Sequence, residues 1–395
     1  MIPAQREKFN QQFTKEKYTI FLDDLQNGYP KIPFRVAETP IFVSASLKKK
    51  LIAAGEEIIN LIKHPDFKKL TEKSLPQEWK VPNENEQPHF LTFDFGICKD
   101  ENDELTPMLI EMQGFPSLYG FQNHLATHFR KNFDIDNSLN HLFNDFDQEK
   151  YIDLLKRVIL GNHQPHEVVL MDVDAYNQKT AIDFLVTQKL LGIKILALEE
   201  IKKDGKTLYY ESNEKKIPIK RIYNRLIFDE IANDIDIFKN SFDPREDLNV
   251  EWVTHPNWFY RISKYTMPFL DSEFVPETRF LSQLDNIPKD LENYVLKPLF
   301  SFAGMGVIID VTPTDIDNIS DPENWILQRK VTYEPVIQSP DGMVKAEIRM
   351  MYLWPDNGEP QLCINLARLS RGKMIGVRYN ADFDWVGGTV CFMEE

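Results

Sequence analysis

Only three cysteines, Cys98, Cys363 and Cys391, occur in 395 residues, and no two of them form a Cys-x-x-Cys pair. That spacing suits neither a disulfide framework nor a zinc site, and it fits a reducing compartment. Positive charge is also scarce: 46 Lys and Arg against 61 Asp and Glu leave a net charge of −15. So acidic a chain argues against nucleic acid or an anionic membrane as partner. No hydrophobic run approaches a transmembrane span, and the opening Met-Ile-Pro-Ala-Gln-Arg-Glu-Lys lacks an apolar signal core. A cytoplasmic protein is expected. Internal repeats, low-complexity tracts, a Gly-x-x-x-x-Gly-Lys-Ser/Thr phosphate loop and a Ser/His/Asp signature are all missing. Histidines such as His124, His128, His163 and His166 fall at no metal-ligand spacing, so solvated or core roles are expected for them.

What is present describes a globular chain, 42% hydrophobic and 27% charged, long enough for two or three domains. Residues 1–88 read as an N-terminal helical region, with an apolar helical face over 47–62 and a proline-punctuated connector over 76–88. Residues 89–160 open with two alternating strands, 90–98 and 107–114, joined by an acidic turn, and continue as helix. Residues 161–250 alternate strand (167–174), helix (178–191, closed by Gly192) and strand (193–198), with a further strand over 217–224. That pattern predicts a parallel βαβ unit. No glycine-rich turn follows its first strand, so no nucleotide site is expected there. Residues 251–395 carry the remaining strands, among them 344–354, 361–369 and 373–377, and read as antiparallel-rich. The fold class is therefore α/β of the α+β kind, a βαβ middle domain followed by antiparallel sheets and helices.

One stretch stands out. Tyr294-Val-Leu-Lys297-Pro298 is an apolar strand ending at a lysine, and a turn with Gly304 and Gly306 leads into a second apolar strand. Such a hairpin lets backbone N–H groups approach an anion beside an ammonium group. An ordinary glycine hairpin with a surface lysine has the same local pattern. Its surroundings distinguish it: Lys264, Gln328, Glu347, Arg349, Arg368 and Arg371 all sit in or beside apolar strands after residue 252. A charge buried alone in such a strand costs several kcal/mol, about 2–7 even for a neutral polar group. The set together points to a sheet face lining a polyphosphate site.

These residues resemble the ATP-grasp ligases. Val295-Leu296-Lys297-Pro298 with Gly304-x-Gly306 is similar to their phosphate-loop hairpin, and Lys264 to the lysine preceding it. Trp325-Ile326-Leu327-Gln328, with Lys330 at its end, resembles the strand that reaches adenine. Glu347-Ile348-Arg349 resembles the strand arginine that meets phosphate, and Arg368 to Arg371 through Asn380 the terminal basic segment. The acidic pair comes early, at Asp94 and at Ile110-Glu111-Met112-Gln113. That order resembles the synthetase domain of glutathionylspermidine synthases.

The resemblance implies ATP and Mg²⁺ as cofactors, with Lys264, Lys297, Gly304, Gly306, Gln328 and Lys330 holding nucleotide. It implies Asp94, Glu111 and Gln113 as metal ligands, and Arg349 and Arg371 as catalytic groups on the transferring phosphoryl. The reaction implied is carboxylate–amine ligation of small molecules through an acyl phosphate. A phosphotransferase and a non-catalytic nucleotide-binding protein remain alternatives. Two departures stand against the resemblance: Gln113 where asparagine is usual, and Thr92 where those synthases carry arginine. Tyr119, Gln122, His128 and Arg130 follow the acidic hairpin and are candidates to face substrate. The early hairpin is expected to pack against the C-terminal third.

Overall fold

Helix Ala45–Ile62 forms on the expected periodicity and buries Leu47, Leu51, Ala54, Ile58 and Ile62. A Cβ at Gly55 would lie 2.0 Å from Tyr352 Oη, so glycine allows this helix to lie directly against the sheet behind it. That sheet is the centre of the molecule. In this computed structural model the described residues are 1–395 except 232–234, 301–304, 373–379 and 381–382. Gly304 and the strand expected over 373–377 lie outside the described residues.

The large sheet is antiparallel and runs, in order, Gly387–Thr389, Gln361–Ser370, Gly342–Leu353, Phe90–Lys99 and Leu105–Gln113, with Pro335–Ser339 also paired to Gly342–Leu353. The acidic hairpin thus continues a sheet otherwise made from the last third of the chain. Both faces of Phe90–Lys99 are covered, which is why nine of its ten residues are buried. At the other end of the chain, Ile41–Val43 pairs in parallel with Cys391–Met393, tying the N-terminal region to the C-terminus.

A second sheet is wholly parallel: Glu251–Val253, Arg221–Asn224, Val168–Asp172 and Lys194–Ala197. Helix Ala181–Leu191 crosses between its strands and stops at Gly192, whose φ of +72° suits glycine. The strand expected over 217–224 divides at Lys220. Its first part, Lys215–Ile219, joins Thr207–Ser212 and Lys202–Asp204 in a separate antiparallel meander. The region expected to be helical over 118–160 holds two helices, Tyr119–Asn132 and Gln148–Leu160, with extended chain between them that bridges to Ile364 and Met393.

A small antiparallel sheet orders Thr278–Phe280, Trp325–Arg329, Tyr294–Pro298 and Ile308–Ile309. It faces the hairpin end of the large sheet, where Lys297 reaches the hairpin backbone. No helix among the described residues is long and apolar enough to cross a membrane.

Candidate functional site

Strand register places the charged residues of the large sheet in two adjoining rows. Glu111, Asp94 and Arg349 are cross-strand partners in one, and Glu347 lies opposite Arg368 in the next. Glu347 and Arg349 share a face because side chains alternate along a strand. Arg349 donates to Asp94 through Nε at 2.5 Å and Nη2 at 2.7 Å, a two-pronged fork. Arg368 also donates to Asp94 and is ion-paired with Glu347. Burial alone would raise the Asp94 carboxyl, but the two guanidinium groups outweigh it and hold it below the ordinary range. Burial pushes the Glu347 carboxyl up, against the pull of Arg368. Tyr333 Oη donates to Glu347 at 2.8 Å, and its ring lies over Gly96, where a Cβ would meet it at 2.7 Å.

A β-bulge gives the hairpin its second role. Asp94 pairs with Glu111, but the next residue, Phe95, pairs with Leu109, which leaves Ile110 as the extra residue. The Ile110 carbonyl accepts from Lys297 Nζ at 3.1 Å. Lys297 is 8% exposed and also donates to Gln328 Oε1 at 2.5 Å, while Gln328 Nε2 donates to Thr278 Oγ1 at 3.0 Å. Burial lowers the Lys297 ammonium to about 8, Glu111 and Glu347 act the other way, and Lys264 adds to the lowering. A buried amine flanked by a second buried amine is an arrangement that an anion would relieve.

A pocket opens beside Lys297. Its walls include Glu111, Gln113 and Phe115 from the hairpin, Ser263 and Lys264 from the segment before the small sheet, and Phe300. Gln113 Nε2 donates to Glu111 Oε1 at 2.7 Å, so these two side chains act as one oxygen-bearing edge. The hairpin and the Lys264 segment are stitched together by Gly114 N–H to Ile262 O at 3.0 Å and Leu109 N–H to Phe274 O at 2.8 Å.

Of the sequence-predicted site residues, Glu111, Gln113, Lys264 and Lys297 therefore meet at one place, with Asp94 and Arg349 immediately behind. Asp94 stands where a metal ligand was expected, yet its carboxylate carries two arginines. Gln328 supports Lys297 from behind. Gly306 has a φ of +71°, as a turn glycine should, and is exposed. Two candidates are held elsewhere. Lys330 is ion-paired with Asp310 at 2.6 Å, and Arg371 donates to the Asp341 carbonyl at 2.9 Å and Ser339 Oγ at 2.7 Å. In the helix after the hairpin, three of the four candidate positions have partners within the fold. Tyr119 Oη donates to the Leu91 and Tyr352 carbonyls, His128 bonds the His124 carbonyl and Arg130 the Leu139 carbonyl, because this helix packs into the core beneath the sheet. Gln122 is buried. Among the described residues no cluster of three or more His, Cys, Asp or Glu is arranged to hold a metal.

One residue that the sequence reading passed over belongs here. Arg225 directly follows the parallel strand Arg221–Asn224, at the carboxyl end of that sheet, and is 6% exposed. Its Nε and Nη1 are buried with no hydrogen-bond partner. The guanidinium lies 5.1 Å from the centre of the Phe115 ring, a wall of the pocket, and 5.0 Å from that of Phe184. Burial raises the Asp172 carboxyl to about 6, and Arg225 pulls it down. Burial also raises Asp183, whose carboxylate accepts from the Phe121 N–H at 2.9 Å. The available signal was positional: ligands of open α/β sheets gather outside the carboxyl ends of the strands.

No protein-family model matches the sequence, and no curated protein does either. Among solved structures, the chain is similar to a glutathione synthetase-like effector from Globodera pallida in its apo form. The TM-score is 0.62 with 10% identity, over 96% of each chain. At that identity the likeness is one of fold: mixed α/β with several antiparallel sheets, consistent with an ATP-grasp-like architecture.

Proposed function

We propose that this chain is an ATP- and Mg²⁺-dependent ligase that joins a small-molecule carboxylate to an amine through an acyl phosphate. The observation that carries the reading is the Lys297–Ile110 contact. It brings the acidic hairpin, the two buried lysines and the pocket into one place, as a polyphosphate site requires. The order of the segments, with the acidic hairpin first, resembles that of glutathionylspermidine synthases. The fold likeness to a glutathione synthetase-like chain supports the same reaction class.

In this reading Lys264 and Lys297 bind the phosphates, and Arg349 and Arg368 stabilise charge on the transferring phosphoryl group. The donors fit Mg²⁺, which prefers oxygen ligands and needs only one or two carboxylates when it shares substrate phosphates. Glu111 and the Gln113 amide oxygen would hold it, where it would neutralise charge developing on phosphate. Arg225, whose Nε and Nη1 have no hydrogen-bond partner and which lies beside Phe115, would receive an anionic group of the carboxylate substrate. A substrate carboxylate oxygen attacks the γ-phosphorus as the bond to ADP breaks. The amine nitrogen then attacks the acyl carbon, loses its proton and displaces phosphate.

The test is ATP turnover with pools of carboxylates and amines, followed by product analysis. ADP, phosphate and an amide in equal amounts are expected. ADP with a phosphorylated acceptor would make the chain a phosphotransferase, and nucleotide binding without ADP would make it a non-catalytic binder.

A further inference from the structure

We infer that Asp94 is a positioning residue: it sets Arg349 and Arg368 as a clamp for phosphate oxygens, and any divalent cation in the site is held from the protein side by Glu111 and Gln113. The inference rests on the nucleotide-site reading above and assigns roles within it. Asp94 accepts from both Nε and Nη2 of Arg349 and from Arg368, so each of its oxygens already faces a cation. A dication bound to those same oxygens would sit beside two guanidinium groups, and like charges at such distances repel strongly where water is excluded. Place agrees with charge. Glu111 and Gln113 are walls of the pocket, whereas Asp94, 1% exposed, lies one strand behind them and is not.

Topology explains the division of labour. Leu105–Gln113 is the edge strand of the large sheet, and Gly114 leads from it to the Lys264 segment. Side chains on that edge meet whatever enters between the sheets. Asp94 is on the interior strand, where both neighbours are strands carrying charge: Glu111 on one side and Arg349 on the other. Its carboxylate fixes the planes of two arginines, and a guanidinium held in a fork is pre-organised for oxyanions. The less buried of the two is Arg368, with 30% of its side chain exposed against 8% for Arg349, so it is the one able to turn a free edge toward phosphate.

The experiment measures a non-hydrolysable ATP analogue by titration calorimetry, first with excess EDTA and then with excess Mg²⁺. The ratio of the two affinities is the metal coupling, expected at about tenfold or more in the wild-type chain. In Asp94→Asn both affinities should fall by about tenfold, because Arg349 and Arg368 lose the carboxylate that orients them, while the ratio stays within about threefold of wild type. In Glu111→Gln the ratio should collapse toward one, with the affinity in EDTA unchanged or raised. Collapse of the ratio in Asp94→Asn with the EDTA affinity intact would make Asp94 a metal ligand and overturn the inference. Should Asp94→Asn not fold, Glu111→Gln decides alone, and a coupling that survives in it overturns the inference by requiring another carboxylate. A wild-type chain that binds the analogue equally with and without Mg²⁺ would defeat the ligase reading itself, which separates the two failures.

Discussion

Lys297 Nζ donates at 3.1 Å to the carbonyl of Ile110, a residue 187 positions earlier in the chain. Ile110 is the extra residue of the bulge on the edge strand, where its carbonyl is open to a partner outside the ladder. Through it, the small sheet carrying Lys297 is referenced to the strand carrying Glu111 and Gln113.

Lys297 should make nucleotide binding pH-dependent. Its ammonium titrates at about 8 in the folded chain, below the ordinary lysine value. Bound polyanion favours the charged form, so affinity should weaken as pH rises through about 8, by up to about tenfold per unit while one proton is taken up. Lys297→Met should bind weakly at every pH and lose that slope. Fluorescence titration with a nucleotide between pH 7 and 9.5 checks it, and a slope preserved in the variant would remove Lys297 from the site.

Asp172 should contribute a stability slope of opposite origin. Its folded carboxyl is raised to about 6 from an ordinary 3.8. The folded state therefore holds the extra proton between those values. The contribution is fully present below about 4 and is lost as pH rises through about 6. Urea unfolding of wild type and Asp172→Asn over pH 4–7 should show their difference changing by on the order of 2 kcal/mol, with wild type losing stability as pH rises.

Gly114→Ala should disturb the site without touching any charged group. A Cβ there would lie 2.6 Å from the Trp258 carbonyl oxygen and 3.0 Å from Ile262 Cβ, and the backbone oxygen is hard to move. A loss of about 1–3 kcal/mol is expected, as for other overpacked positions. The thermal shift produced by ATP and Mg²⁺ should shrink as well, because the same displacement parts Gln113 from Lys264.

Arg225→Met should separate nucleotide binding from chemistry. Arg225 lies against Phe115, a wall of the pocket, and is not itself a wall, so the ATP-induced thermal shift should persist. Substrate-dependent ADP formation should fall by roughly 100-fold, the scale of losing one pre-organised electrostatic contact. If turnover survives at the wild-type rate, the Arg225 guanidinium has no part in binding the acid.

Several elements were legible because their signals are local. The helix Ala45–Ile62, the strands of the acidic hairpin and the glycine stop at Gly192 each follow from periodicity or from one residue's backbone freedom. The strand placement of Lys297 before Pro298, and of Glu111 and Gln113 two residues apart, was readable in the same way. The strand break at Lys220 was not, since the run is continuously strand-like and only pairing to different sheets divides it. The internal partners of Arg371 and Lys330 were not legible for a related reason. A charge at a strand end looks the same whether it meets a ligand or, as here, a neighbouring carbonyl or Asp310.

The sequence by itself determined the helix Ala45–Ile62, the strands of the acidic hairpin and the alternation of strand and helix in the middle of the chain, because hydrophobic spacing of 2.0 or 3.6 residues is written into neighbouring positions. It also determined that basic and acidic side chains sit in apolar strands. Only the tertiary structure decided what those charges do. Asp94 faces Arg349 across 255 residues of chain, Lys297 meets Ile110 across 187, and Arg225 comes to Phe115 from another sheet. Partners so distant are chosen by how sheets pair and stack, and no local pattern of residues encodes that choice.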